Sequence, residues 1–133
     1  MNKGYLIDTH VFLWMLTDEH KLSVRAKIIL ENKDNPIFMS TASLWELAIK
    51  YSLGKIEFPT KPEIYLLNKI YEENITVIPI TPIMALKIHE IPQLHKDPFD
   101  RFLITQAIFD NIPLISNDIE IKKYKKHGLK LIW

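Results

Sequence analysis

The sequence predicts an α/β fold, in which helices cover both faces of a mostly parallel sheet of four to five strands. Two observations predict this class. Short apolar runs alternate along the 133 residues with longer segments whose apolar residues recur at helical spacing. The apolar runs are also continuous, without a polar residue at every second position, which is typical of strands buried on both faces.

The apolar runs are short enough for strands and are bounded by glycine, proline or polar residues. The first run, "GYLID", ends on Asp8, an acid that is hard to explain as a solvated surface charge because it directly follows Tyr-Leu-Ile. The predicted strands are 4–8, 36–40, 75–80, 112–116 and 129–133.

The segments between these strands predict helices, and several carry end signals. Ser23 and Thr81 are candidate N-caps, Pro82 suits a first helical position, and Gly54 is a candidate terminator of the third helix. The predicted helices are 9–18, 23–32, 43–55, 61–74, 81–90, 97–111 and 118–127.

The start of the helix at 97–111 allows two interpretations. Asp97 followed by Pro98 is a strong helix start, and Asp100 would face the positive end of the helix. Carboxylates three residues apart also share one helix face and could hold a divalent cation. The local sequence does not decide between these two interpretations.

Acidic residues recur where the predicted strands end. In a parallel sheet, ligands bind at the carboxyl ends of the strands, so Asp8, Asp118, Asp100 and Glu46 are expected at one edge. Clustered carboxylates repel one another unless a cation compensates them, and hard oxygen ligands select Mg²⁺ or Mn²⁺. The chain has neither a zinc motif nor a glycine-rich phosphate loop.

Each acid also has a purely local interpretation. Asp8 could cap the following helix, although Thr9 could do the same. Ser43 and Glu46 match the S-x-x-E capping box, and the local sequence favours capping over catalysis for Glu46. Asp118 suits an N-cap equally well.

Composition narrows the class of protein. Apolar residues make up 47% and charged residues 25%, which are ordinary values for a globular protein. The length of 133 residues predicts a single domain spanning 1–133. The absence of cysteine fits a reducing cytoplasm, and neither a signal peptide nor a membrane span is expected. Residues 119–133 carry a net charge of +4 and could contact nucleic acid, but a solvated helix face is the preferred interpretation.

Four segments together resemble the PIN-domain ribonucleases, and most closely the VapC-type toxins of type II toxin–antitoxin pairs. They are "YLIDTHVFLW", "STASLWELAIKYSLGKI", "HKDPFDRFLITQAI" and "PLISND". The resemblance implies a three-layer α/β/α PIN-like fold and a metal-dependent endoribonuclease. It further implies an RNA substrate, a cognate antitoxin, a homodimer and a cytoplasmic location.

The resemblance also implies roles for individual residues. Asp8, Glu46, Asp100 and Asp118 would be catalytic and would hold Mg²⁺ or Mn²⁺. Among the supporting residues, Thr9 matches a hydroxyl beside the first acid, and Ser116 stands where the family often has threonine. Asp97 would be a helix cap with a possible outer-shell role. Arg101 would contact phosphate or form a surface salt bridge. His10 and His95 are candidate substrate contacts, but structural roles are expected for both.

Three alternatives remain open at this point. The chain could be a PIN-like binding module without catalytic activity, or an RNA-processing nuclease that is not a toxin. A phosphohydrolase with Asp8 as its nucleophile is disfavoured, because that chemistry usually places a second acid where His10 stands. If an antitoxin binds, the segments "FLWML" and "LWELAIKYSLG" could supply part of its groove, although at least half of these side chains are expected to pack in the core.

Overall fold

A computed structural model describes residues 4–133, and its centre is a five-stranded parallel sheet. The strand order is β3-β2-β1-β4-β5, and every neighbouring pair is parallel. This confirms the predicted sheet. The strands are β1 (Tyr5–Ile7), β2 (Ile37–Ser40), β3 (Ile75–Ile78), β4 (Leu114–Ile115) and β5 (Leu131–Ile132).

Helices cover both faces of this sheet and complete the three layers. They are α1 (Thr9–Thr17), α2 (Val24–Glu31), α3 (Thr41–Ser52), α4 (Pro62–Glu72), α5 (Pro82–Lys87), α6 (Pro98–Phe109) and α7 (Ile119–Lys122). Among residues 4–133, no helix is both long and apolar enough to cross a membrane.

Successive strand residues point into two separate apolar cores. Ile7 and Ile115 pack in a core with residues of α1 to α4, while Leu6 and Leu114 pack in a second core with α6 and α7. Successive side chains of a strand point to opposite faces, and both faces are buried here. This is why the strands read as continuous apolar runs.

Two predicted helices are shorter than expected. The segments predicted at 81–90 and 118–127 each begin as an α-helix and tighten into 3₁₀ turns, at Ile88–Glu90 and Lys123–His127. A further 3₁₀ turn, Glu19–Lys21, was not predicted. Short 3₁₀ turns are common at helix ends. The apolar pattern of the sequence does not change where the α-helix ends and the 3₁₀ turn begins, so the pattern did not reveal this boundary.

The predicted start of α3 was wrong. The chain turns from β2 directly into the helix, and the Ser40 hydroxyl caps it by accepting a hydrogen bond from the Ala42 amide. Ser43 therefore lies inside the first turn and Glu46 in the second, so they form no capping box. The other end agrees with the prediction, since Gly54 follows the helix with φ +72°.

Candidate active site

Asp8 lies at the carboxyl end of the central strand and is only 3% exposed. Its Oδ1 accepts a hydrogen bond from the Val11 amide at 2.7 Å and so caps α1. Its Oδ2 accepts a hydrogen bond from the Ser116 hydroxyl, which lies at the end of the neighbouring strand β4. Capping and membership of the acidic site therefore coincide, and Thr9 is not the cap.

Ser116 joins two of the predicted acids. While its hydroxyl donates to Asp8, its Oγ accepts a hydrogen bond from the Asp118 amide at 3.1 Å. Asp118 uses one carboxylate oxygen to cap α7 through the Glu120 amide, at 2.8 Å. The parallel pairing of β1 and β4 thus sets the relative position of the two acids.

The two acids at the start of α6 have different environments. The Asp97 carboxylate accepts hydrogen bonds from the amides of Phe99 and Asp100, at 2.9 and 3.4 Å, which confirms its role as the helix cap. Asp100 is the third residue of the helix and is 9% exposed, with its side chain directed into the acidic cluster. Local helix geometry therefore assigns capping to Asp97 and leaves the Asp100 carboxylate available for the site.

Both carboxylate oxygens of Glu46 have a partner, one on α1 and one on the next turn of α3. Its Oε1 accepts a hydrogen bond from the Thr9 hydroxyl at 2.7 Å, and its Oε2 lies 2.7 Å from Lys50 Nζ. Because it is only 3% exposed, this double pairing satisfies a charge that would otherwise be costly to bury. The structure thus places Thr9 beside the cluster through Glu46.

His95 also lies in this cluster, although the sequence favoured a structural role for it over a substrate contact. Its Nε2 lies 2.9 Å from Asp100 Oδ2 and 3.8 Å from Asp118 Oδ2. The Asp97 amide donates to Nδ1 at 3.2 Å, so Nε2 carries the proton of the neutral ring and donates to Asp100. The only signal in the sequence was the position of His95 two residues before Asp97.

The segment that carries His95 is held by one buried tyrosine. The Tyr124 hydroxyl donates to the Pro92 carbonyl at 2.6 Å and accepts from the amides of Leu94 and His95, at 2.9 and 3.0 Å. Tyr124 is fully buried in the second apolar core. Its hydroxyl therefore fixes an irregular segment against the end of the sheet and, with it, the histidine that contacts Asp100.

Replacement of Tyr124 by phenylalanine is expected to lower the free energy of unfolding by about 1–3 kcal/mol, because three backbone groups lose their partner. It should also weaken Mn²⁺ binding, because the His95 segment loses its anchor. Urea unfolding and calorimetric titration measure the two effects. Tyr65→Phe is the matched control, since the Tyr65 hydroxyl makes no hydrogen bond with residues 4–133. Equal effects of both variants would contradict this role of the hydroxyl.

Burial and mutual repulsion make the cluster unfavourable when all its acids are ionised. Burial raises the pKa of Asp100 to about 8, and the charges of Asp97, Asp8, Glu46 and Asp118 contribute in the same direction. Burial also raises the pKa of Asp8, although the hydrogen bonds from Ser116 and Val11 act against this. Burial and the neighbouring negative charges thus both disfavour the ionised forms of these carboxylates.

The donor groups of the cluster suit a divalent cation. Carboxylate oxygens of Asp100 and Asp118 lie within 4.8 Å of each other, beside the His95 ring. Asp8 lies close enough to raise the pKa of Asp100. Oxygen-rich donor sets of this kind fit Mg²⁺ or Mn²⁺, and a cation would offset the repulsion between the carboxylates.

Two other predicted residues lie near the cluster without joining it. Arg101 forms no salt bridge within the described part of the chain, and its buried Nε has no hydrogen-bond partner there. The surface salt bridge considered for Arg101 is therefore not formed. His10 is exposed, and its ring centroid lies 6.1 Å from that of Trp14, which agrees with a structural role.

The family follows from comparison with known proteins. The family model described as PIN domain matches residues 5–127. The chain belongs to the PIN domain family. Ribonuclease VapC22 of Mycobacterium tuberculosis (strain ATCC 25618 / H37Rv) is 25% identical to this PIN domain over 129 residues, which cover 96% of this chain and 97% of the relative.

Solved structures agree on the fold. A chain of VapBC2 from Rickettsia felis, bound to a DNA fragment from its promoter, gives a TM-score of 0.70 and 22% identity. The match covers 97% of this PIN domain and 98% of that chain. A chain of DNA-bound VapBC from Salmonella typhimurium gives a TM-score of 0.71 and 14% identity, with coverage of 99% and 98%. These structural similarities cover nearly the whole chain and agree with the three-layer fold.

Proposed function

We propose that this PIN domain is a VapC-type toxin, a Mg²⁺- or Mn²⁺-dependent endoribonuclease that hydrolyses phosphodiester bonds in RNA. The observation that carries the proposal is the convergence of Asp8, Glu46, Asp100 and Asp118 at one edge of the sheet. The likeness to ribonuclease VapC22 over almost the full length of both chains supports it.

The four acids have distinct tasks in this proposal. Asp8, Asp100 and Asp118 hold the cation, while Glu46 takes part directly or through water. A bound divalent cation polarises a phosphoryl oxygen and activates water for attack. One of the outer acids, Asp118 or Glu46, orients the attacking water by accepting its hydrogen bond.

The neighbouring polar groups keep these carboxylates in place. Ser116 and the Val11 amide orient both oxygens of Asp8, and Thr9 with Lys50 orients both oxygens of Glu46. Such support matters because catalysis requires groups that are already positioned before the reaction. Asp97 contributes by starting α6 at a fixed residue.

We include a cognate antitoxin among the partners and a cytoplasmic location for the pair. Two of the structurally similar chains belong to VapBC structures. This chain offers an apolar groove of about 630 Å³ between α3 and α4, lined by residues such as Tyr51, Leu66 and Leu67. Apolar side chains of an antitoxin segment would fill such a groove.

The decisive experiment compares RNA cleavage by the wild type and by Asp8→Asn in the presence of Mn²⁺. We expect the wild type to cut RNA and to lose this activity in excess EDTA, and we expect Asp8→Asn to be inactive. Asparagine retains a cap acceptor for α1, so the fold should persist. Asp110→Asn is the matched control, because this exposed acid lies at the far end of α6.

Two outcomes would contradict the proposal. Cleavage that persists at full rate in EDTA would exclude a metal-dependent nuclease. A wild type that binds Mn²⁺ weakly or not at all and cuts no RNA would favour the alternative of a binding module. In cells, induced expression of the wild type should arrest growth and leave RNA fragments, while Asp8→Asn should do neither.

A further inference from the structure

Two open grooves adjoin the acidic cluster. One groove, of about 410 Å³, has Glu46 and Asp97 in its lining, and we call it the Glu46-side groove. The other, of about 300 Å³, has Ser116 and Asp118 in its lining, and we call it the Asp118-side groove. Each groove therefore shares residues with the site itself.

The strand order places these grooves on opposite sides of the central acid. Glu46 lies on the helix that follows β2, and Asp118 follows β4, while Asp8 ends β1 between them. A line from one groove to the other therefore crosses the cluster along the carboxyl edge of the sheet. A flexible chain lying on this line would pass directly over the acids.

Cations line both grooves. Lys50, Lys55 and Lys96 line the Glu46-side groove, and Arg25, Lys122 and Lys125 line the Asp118-side groove. Of these six, Lys50 alone has a carboxylate within 4 Å in the described residues, namely Glu46. Among residues 4–133, the only acidic side chains in the two linings are those of the site acids Glu46 and Asp118 and of the helix cap Asp97.

Two other grooves have the opposite charge balance, and the groove between α3 and α4 is balanced, with one lysine and one glutamate. The groove near the amino ends of β2 and β3 contains Lys33 with Glu31, Glu72 and Glu73. A smaller cavity beside α2 contains one lysine and three glutamates. Among these five grooves of the described residues, only the two that adjoin the cluster therefore carry an excess of cationic side chains.

Each of these two grooves also contains an aromatic ring. Phe99 lines the Glu46-side groove, and the ring of Trp45, which is 59% exposed, packs edge-on against it at a centroid distance of 5.4 Å. Trp133 lines the Asp118-side groove. Cationic grooves with aromatic rings are typical of surfaces that bind single-stranded nucleic acid, since phosphates pair with the cations while bases stack on the rings.

We propose that a single RNA strand crosses the acidic cluster along this edge, with its phosphates on either side of the scissile bond held by the two cationic grooves. The inference rests on the proposed nuclease function and names the residues that would bind its substrate. Lys55 and Lys96 bind the strand on one side, and Lys122 and Lys125 bind it on the other. The cations offset the repulsion between the acids and the phosphate backbone.

The test measures binding of a short fluorescent single-stranded RNA to the full chain in EDTA, by anisotropy over a range of KCl concentrations. The slope of log K against log[KCl] should become shallower by about 0.7 for each phosphate contact that is lost. Lys55→Ala/Lys96→Ala and Lys122→Ala/Lys125→Ala should therefore each reduce the slope by about 1.4. Lys33→Ala/Lys126→Ala, with the same change in charge at exposed positions outside both grooves, should keep the wild-type slope.

Several results would overturn the proposed path. They are an unchanged slope for either groove variant, an equal loss in the control, and equally strong binding of duplex RNA of the same length. The nuclease proposal is tested separately by cleavage in Mn²⁺. A wild type that cuts RNA while the groove variants keep its slope contradicts the path alone, and a wild type that shows the expected slopes but never cuts contradicts the nuclease function alone.

Discussion

Asp100→Asn is expected to lose nearly all RNA cleavage and most of its Mn²⁺ affinity, whereas Asp97→Asn should keep most of both. The two substitutions are chemically identical and lie three residues apart. Asp97 uses its carboxylate to cap α6, and asparagine caps helices about as well as aspartate. Asp100 directs its carboxylate into the cluster, where a neutral amide supplies no charge to a cation.

The expected difference is large because the contribution of Asp100 is electrostatic. Removing one charged ligand from a divalent site weakens binding in a surrounding of low dielectric constant, where that charge acts strongly. The His95 Nε2–H group can still donate a hydrogen bond to the asparagine carbonyl, so the fold should not change. We therefore expect a loss of at least about 10²-fold in cleavage rate for Asp100→Asn, which is the range for losing one group that stabilises developing charge.

Calorimetric titration with Mn²⁺ and a single-turnover cleavage assay measure the two quantities on both variants. Circular dichroism should show the same helix content for both variants and the wild type. Equal losses for Asp97→Asn and Asp100→Asn would mean that Asp97 is itself a ligand. Retained activity in Asp100→Asn would remove this carboxylate from the proposed site.

The metal-free protein is expected to lose stability as the pH rises from about 4 to about 8. Burial, together with four neighbouring carboxylates, raises the pKa of Asp100 from 3.8 to about 8. Between these values the unfolded chain has released the proton, while the folded chain still holds it. Stability therefore falls with rising pH, by at most roughly 1.4 kcal/mol per pH unit from this one group, and the decrease ends above the folded-state pKa.

Divalent cations should reverse this trend. Mn²⁺ binds the ionised carboxylates, so its affinity rises with pH and its stabilising effect should be greatest near pH 8. Asp100→Asn removes the titrating group and should be more stable than the metal-free wild type at pH 8, by about 1 kcal/mol or more. One substitution would thus raise stability and abolish activity, as expected where function requires clustered charge.

Urea unfolding at several pH values, with EDTA or with Mn²⁺, measures these effects. Asp110→Asn is again a suitable control, because it changes an exposed acid outside the cluster on the same helix. The difference in unfolding free energy between the wild type and Asp100→Asn should grow from pH 5 to pH 8. A constant difference over this range would show that Asp100 does not titrate as its surroundings require.

The local sequence predicted those features that depend on neighbours along the chain. Asp97, Ser23, Thr81 and Asp118 all act as helix caps, as expected, because a cap accepts from an amide two or three residues ahead. The sheet was predictable because burial on both faces leaves continuous apolar runs. The start of α3 was not, since Ser40 ends a strand and caps the helix at once, which the S-x-x-E match at Ser43 concealed.

By itself, the sequence determined the alternation of strands and helices, four of the helix caps and the order of the four acids. Tertiary structure alone decided how those acids are held. The contact from Thr9 to Glu46 joins residues 37 positions apart, that from Ser116 to Asp8 spans 108, and that from Tyr124 to the His95 amide spans 29. Caps follow from spacing within one helical turn, whereas these contacts exist because parallel strands bring distant segments to one edge of the sheet.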